Sequence, residues 1–317
     1  MNDIMLLKPE LKSMIWGGNK LKSIYGLDIP TDTTGEDWTA SGHPSGDCQI
    51  LNGPYKGETV SQVWKEHPEL FGNYPSDVFP LLAKIIDARQ DLSIQCHPDD
   101  AYAKKNENGA LGKTECWYVL DADPGTTIIT GHSAKTKDEL CKMIDNGEWD
   151  KLLVEKPCNK GDFFMIEPGT LHAIKGGTLI YELQQSSDKT YRIYDYGRLQ
   201  NGKPRELHTQ KAKDVLVCPT PDTSRVPEDI PVEGGKLTRL GSSAFFTAEK
   251  LEVQDKVILP QDRYFTMLTV AEGDGTIDGE KVAPGTSALI PAGDGDIVIT
   301  GPMTVMIGTP EKKSADL

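Results

Sequence analysis

Most of this chain reads as short strand-like apolar runs broken by glycine, proline and aspartate, the pattern of strands joined by turns. Its 21 prolines and 31 glycines suit that architecture. Three segments carry helical spacing instead. Residues 59–67 place Val60, Val63 and Trp64 at i, i+3 and i+4, with Pro68 following. Residues 136–147 open with Thr136 and Glu139 in capping-box spacing, carry Leu140, Met143 and Ile144 on one face and end at Gly147. Residues 205–217 set Leu207, Val215 and Leu216 on one stripe. All three are expected to pack against the outside of a sheet.

Two stretches mirror each other: GDFFMIEPGTLH, 161–172, and GTSALIPAGDGD, 285–296. Each runs from a glycine through an apolar strand to a Pro/Gly-rich corner, with His172 after the first corner and Asp296 at the same place after the second. An internal duplication of a β unit, with the second copy stripped of its imidazole, explains the pair. Two turns that happen to look alike is the plainer reading of so short a match. A four-proline stretch, residues 218–242, reads as the connector. The expected units are therefore 1–235 and 236–317.

Charge narrows the function. The net charge is −14 and the isoelectric point about 4.9, so nucleic acid and anionic membrane are not expected partners; both need a basic face. A locally basic pocket for a small anion stays compatible. No apolar run approaches the roughly 20 residues of a membrane span, and MNDIMLLKPELKSMIWGG lacks the basic-then-apolar layout of a signal peptide. The six cysteines (48, 96, 116, 141, 158 and 218) form no CxxC pair. Reduced thiols in a cytoplasmic protein are expected.

The candidate chemistry starts at SIQCHPDD, residues 93–100. In an extended run Gln95 and His97 face one way and Cys96 the other. KTECWYVL, 113–120, puts Glu115, Trp117 and Val119 on one face, and His172 follows the strand FFMI and the turn EPGT. A lone His or Glu is usually a surface or satisfied-core residue. If the three strands line one unit, however, Gln95, His97, Glu115 and His172 can converge on a cation. Two imidazoles and a carboxylate suit Zn²⁺, Fe²⁺ or Mn²⁺. Glu182, in the strand-like TLIYEL, and the run SDKTYRIYDYGR, with Lys189, Arg192 and Arg198, supply further charge. Arg192, Tyr194 and Tyr196 are expected to point together from a strand.

The combination resembles the modified motifs of the cupin superfamily and, more closely, the type I phosphomannose isomerases. The matching pieces are WGG (16–18), EDWTASGHP (36–44), LLAKIIDARQDLSIQCHPDD (81–100), GKTECWY (112–118), PGTLHAI (168–174) and YRIYDYGR (191–198), in the family's order. The resemblance implies a mainly β fold of two cupin, or jelly-roll β-barrel, units with a few peripheral helices. It implies one zinc ion per chain on Gln95, His97, Glu115 and His172. Lys113 matches a substrate-binding lysine, Arg192 the active-site arginine and Glu182 a glutamate proposed as the base, with Lys113 the second candidate for proton transfer. Ser93 falls in the segment linked to phosphate binding. Glu167 replaces the usual proline of the cupin turn, and Ile174 stands where some members have tyrosine. Larger members insert a helical domain between the positions of Glu115 and His172; here one helix fits, so the chain looks like the short form.

The implied activity is interconversion of mannose 6-phosphate and fructose 6-phosphate through an enediol. The implied partner is a small sugar phosphate, with a monomer or dimer equally open. Two other readings stand beside it. His97, Glu115 and His172 alone would satisfy an Fe(II) cupin dioxygenase, although Gln95 fills a position that oxygen chemistry wants open. A sugar-binding cupin without catalysis is the third, against which a full ligand set beside Glu182, Lys113 and Arg192 argues.

Overall fold

The computed structural model describes residues 4–293 and 295–311. The fold is mainly β, built as two sandwiches of antiparallel strands with short helices outside them. In the first, a large sheet runs in the order Phe163–Ile166, Glu115–Ala122, Thr178–Gln185, Leu81–Ala88, Glu10–Gly18, Thr34–His43 and Gly46–Asp47. Facing it is a smaller sheet in the order Leu153–Pro157, Thr127–His132, His172–Ile174, Ile94–Cys96 and Tyr191–Tyr194. Between them lie Trp16, Ile86, Trp117, Val119, Ile166 and Ile180.

The second sandwich repeats this order. Ser287–Ile290, Thr266–Gly273, Met303–Pro310, Phe246–Val253 and Gly235–Ser242 follow one another as their counterparts do, and Lys256–Leu259, Ile297–Thr300, Gly275–Ile277 and Glu280–Val282 form the smaller sheet. The mirrored sequence stretches occupy matching strands: Phe163–Ile166 pairs with the Glu115 strand, and Ser287–Ile290 with the Thr266 strand. The large sheet of the second sandwich also takes in Glu228–Ile230 on one side, and Met5–Lys8 and Gln49–Ile50 on the other. A shared core joins the two sandwiches, with Tyr118, Tyr181 and Leu183 from one meeting Phe246, Met267 and Met306 from the other. Packing there is close enough that a Cβ on Gly308 would come 2.9 Å from Leu183.

All three expected helices form, as Val60–Glu66, Lys137–Asp145 and Thr209–Val215. The reciprocal capping box falls on the first: Thr59 accepts from the Gln62 N–H, and the Gln62 side chain accepts from the Thr59 N–H at 2.8 Å. Thr136 does accept from the Glu139 N–H at 3.2 Å, but the Glu139 carboxylate reaches one residue further back, to the Lys135 N–H at 2.7 Å. The third helix starts after Leu207, which stands 48% exposed, while Leu216 is buried. Two further helices, Lys20–Ser23 and Trp149–Leu152, have four residues each, too few for periodicity to reveal them; a third, Asp100–Asn106, fully buries only Ala103 and so shows no apolar stripe.

Candidate active site

The strand Ile94–Cys96 carries Gln95 toward the sandwich interior and buries Cys96 against the outer helices. Pro98 then ends the strand. Its carbonyl accepts from the Lys113 N–H at 3.0 Å, and the His97 carbonyl accepts from the Gly169 N–H at 2.9 Å. One turn thereby ties the three segments that hold His97, Glu115 and His172. Asp99 caps the helix that follows, accepting from the Tyr102 N–H at 2.7 Å. Gly169 is required here: its φ is +77°, and a Cβ would lie 2.5 Å from the Val215 carbonyl.

His97, Glu115 and His172 are buried with one ligand atom each, all within 4.8 Å of one another. Glu115 Oε2 lies 3.4 Å from His97 Nε2, and Glu115 Oε1 lies 3.5 Å from His172 Nε2. His97 Nδ1 donates to the Lys189 carbonyl and His172 Nδ1 to the Thr170 carbonyl, each at 2.9 Å. A carbonyl only accepts, so both protons sit on Nδ1 and both Nε2 lone pairs face Glu115. Burial, then the Lys113 charge, drops the His97 pKa to about 4. Burial likewise lowers His172. For Glu115 burial opposes ionisation, but the Lys113 charge outweighs it and holds the carboxyl well below its usual range. Apart from the Lys113 ammonium, no donor meets either buried Glu115 oxygen. Four acceptor atoms thus converge, faced by the Lys113 ammonium at 2.5 Å from Glu115 Oε2. Such a cluster fits a metal cation. Gln95 joins it through an amide nitrogen 3.4 Å from His172 Nε2, with Ser93 Oγ donating to Gln95 Oε1 at 3.2 Å. An amide flip exchanges those two atoms without moving the side chain and turns Gln95 into a fifth acceptor.

Above this cluster opens a cavity of about 400 Å³ lined by Ser93, Gln95, Lys113, Glu182 and Arg192, among others. All eight sequence-derived residues are therefore in or beside one site. Glu182 is buried and aims inward. In register it faces Lys84 on one neighbouring strand and Trp117 on the other. Trp117 Nε1 donates to Glu182 Oε2 at 3.0 Å, Lys84 Nζ lies 3.0 Å from Glu182 Oε1, and Lys113 Nζ lies 3.9 Å from the same oxygen. Burial alone would lower the Lys84 pKa; Glu182 and Glu36 reverse that and hold it above its ordinary value.

One expectation needs correction. Tyr194 and Tyr196 do not point into the cavity beside Arg192. A register shift falls between Arg192 and Tyr194 and Tyr196 has a φ of +57°, so the alternation breaks. Tyr194 stacks on Trp149 instead, 4.9 Å between centroids. The role of Lys84 was also missed. A lysine at the centre of the buried strand LLAKIIDA was the available signal, since such a position demands a charge partner. Glu167, at the place of the usual turn proline, accepts from Arg225 Nη2 at 2.8 Å.

Fold and site together define a cupin whose two histidines and carboxylate can hold a metal ion beside a polar cavity. The sequence matches the model of the phosphomannose isomerase type I catalytic domain over residues 4–121, and that of the mannose-6-phosphate isomerase cupin domain over residues 236–310. The chain is 47% identical to a mannose-6-phosphate isomerase of Streptococcus mutans, over 87% of each chain. It is 44% identical to the mannose-6-phosphate isomerase ManA of Bacillus subtilis, over 94% of this chain and 96% of the relative. The crystal structure of the mannose 6-phosphate isomerase from Bacillus subtilis superposes with a TM-score of 0.94 at 40% identity, over 96% of this chain and 99% of that one. The chain belongs to the type I phosphomannose isomerases.

Proposed function

We propose that the cavity interconverts mannose 6-phosphate and fructose 6-phosphate through an enediol, with a single zinc ion held by Gln95, His97, Glu115 and His172. The observation that carries this reading is the buried, acceptor-only cluster of Glu115 and two tautomer-fixed imidazoles next to a second buried carboxylate, Glu182. Bound there, the ion supplies Lewis acidity toward a sugar oxygen.

Aldose–ketose isomerisation needs a base that takes a proton from C2 and returns it to C1. Glu182 fills that role. Trp117 occupies its Oε2, which leaves Oε1, beside Lys84 and Lys113, as the atom that carries the proton. The two ammonium groups beside it oppose the build-up of negative charge on the sugar oxygens. Lys113 hydrogen-bonds the substrate near the metal site, Arg192 holds the phosphate, and Ser93 supports that end of the pocket through Gln95. In this reading residues 1–235 are the catalytic unit and 236–317 a degenerate copy without metal. Among the described residues no helix is long and apolar enough to cross a membrane, which agrees with a cytoplasmic setting.

Assay on a panel of aldose phosphates and free aldoses, before and after chelation, tests this. Turnover should favour mannose 6-phosphate, vanish on chelation and return with Zn²⁺. Undiminished turnover by the metal-stripped protein, or oxygen consumption with Fe²⁺, would overturn it. Arg192→Ala should weaken phosphorylated sugars more than free ones.

A further inference from the structure

One wall of the cavity is basic, with Lys189, Arg192, Arg205, His208 and Lys211. Two of these cations are matched locally, Lys211 by Glu107 at 2.7 Å and Lys189 by Asp188 at 2.9 Å. Arg205 is held differently. Its Nε and Nη2 fork onto the two oxygens of Asp195, at 2.8 and 2.6 Å, and that fork leaves Nη1 unused. The side chains of Arg205 and Asp195 are only 9% and 5% exposed. Asp195 also takes Arg198 Nη2 at 2.5 Å, but Arg198 turns away from the cavity to the Asp91 carbonyl and lies over the Tyr196 ring. Of the arginines around this carboxylate, then, Arg192 and Arg205 reach the substrate space.

Both keep donor capacity. Arg192 Nη1 donates to the Glu206 carbonyl at 2.9 Å, while its buried Nε has no hydrogen-bond partner. Burial, and next the charge of Arg205, lower the Arg192 pKa from its ordinary value. Two like charges on one wall repel until an anion lies between them. The backbone does little to fix Arg205: it follows the exposed hairpin Leu199–Gln200 and Lys203–Pro204, whose turn runs through Asn201 and Gly202 at positive φ. Asp195 is what fixes the guanidinium.

We propose that Asp195 is a positioning residue that holds Arg205 beside Arg192 as a two-guanidinium clamp for the substrate phosphate, and thereby sets the preference for phosphorylated over free aldoses. The proposal rests on the sugar-phosphate reading of the cavity. A planar guanidinium presented by a rigid carboxylate loses little entropy on binding a phosphate and matches its geometry. Losing the fork leaves the charge in place but its aim undefined.

The test compares Asp195→Asn, Arg205→Met and their double variant with Arg192→Ala, using mannose 6-phosphate, free mannose and inorganic phosphate as a competitive inhibitor. Asp195→Asn should raise KM for mannose 6-phosphate, and weaken phosphate inhibition, by about tenfold or more. Its kcat should change by less than about threefold, and kcat/KM for free mannose should hold. Because Asp195 acts through Arg205, the double variant should be no worse than Arg205→Met alone. Asp195→Glu should restore part of the loss. Equal losses on phosphorylated and free sugar, unchanged phosphate inhibition, or additive losses in the double variant would overturn the clamp. If Asp195→Asn fails to fold, Arg205→Met reads the same ratio. Should Arg192→Ala alone shift the phosphorylated-to-free ratio, the clamp fails and the sugar-phosphate reading survives; should none of the variants shift it, that reading fails as well.

Discussion

In the first sandwich Glu182 faces Lys84 across one strand pair and Trp117 across the other. The corresponding triplet in the second sandwich is Ile307, Glu249 and Leu268. Glu115, opposite Ile166, has Thr266 as its counterpart, opposite Ile290. His172 has the exposed Asp296. Continuing the register of Ile297 and Leu259 by one step sets Pro260 where Gln95 stands against His172. The backbone plan is repeated, yet the second interior closes over Leu251, Leu268, Val270, Val305 and Ile307. A strand framework alone thus makes neither a cavity nor a cation site. What makes one is a set of inward-facing polar residues, some mid-strand and some at strand ends, each charge matched by another, because an unmatched charge could not stay buried.

Removing a metal ligand on the first sandwich should have the largest effect. His172→Ala or Glu115→Gln should strip the bound metal and cost at least about 10³-fold in kcat/KM, the several kcal/mol a Lewis acid supplies. Circular dichroism should show the fold retained. Full activity in a metal-free variant would break the site assignment. Glu182→Gln should come next, lowering kcat by about 10²–10⁴-fold with KM and metal content unchanged. Solvent exchange of the substrate C2 proton at the wild-type rate would remove Glu182 as the base.

The seam between the two units offers a stability test. Asp37 pairs in register with Ile85, a residue of the shared core, and so faces that core. Neither of its oxygens has a hydrogen-bond partner, and burial holds its pKa well above the ordinary value. From about pH 4 upward the unfolded chain ionises at this position while the folded one stays protonated, so folding loses stability as pH rises. Asp37→Asn should remove that slope and gain at least about 1 kcal/mol at pH 7. Urea unfolding at pH 4 and pH 7 decides it; a wild-type slope in the variant refutes the neutral carboxyl.

Thr266→Val, at the counterpart of Glu115, should have the smallest effect. Metal content and kcat should not move, and stability should drop by about 1–2 kcal/mol, because Gln261 loses the hydroxyl that donates to it at 2.9 Å. Elemental analysis giving two tightly bound metals per chain, or one metal lost with Thr266→Val, would end the contrast between the units.

Much of the site was legible in the chain. Period-two spacing placed Gln95 and His97 on one side of a strand, and Glu115 with Trp117 on another, because side-chain direction in a strand is a local property. The helices at 60–66 and 137–145 were legible for the same reason at a different period. Tyr194 and Tyr196 went wrong where a register shift and a positive φ broke the alternation. Neither event leaves a mark in composition, since the tyrosines are as well suited to a strand as to the stack on Trp149.

Sequence by itself determined which residues could bind a cation and which way each would face, since both follow from side-chain chemistry and the two-residue repeat. It also determined that the second copy lacks an imidazole at the place of His172. Only the tertiary structure decided what each buried charge would meet. Lys84 and Glu182 lie far apart along the chain and face each other because two strands pair in one register. Arg205 reaches the cavity because Asp195, across a short hairpin, takes its guanidinium. The pKa of a buried group depends on neighbours within a few ångströms, and strand pairing chooses those neighbours from distant parts of the sequence.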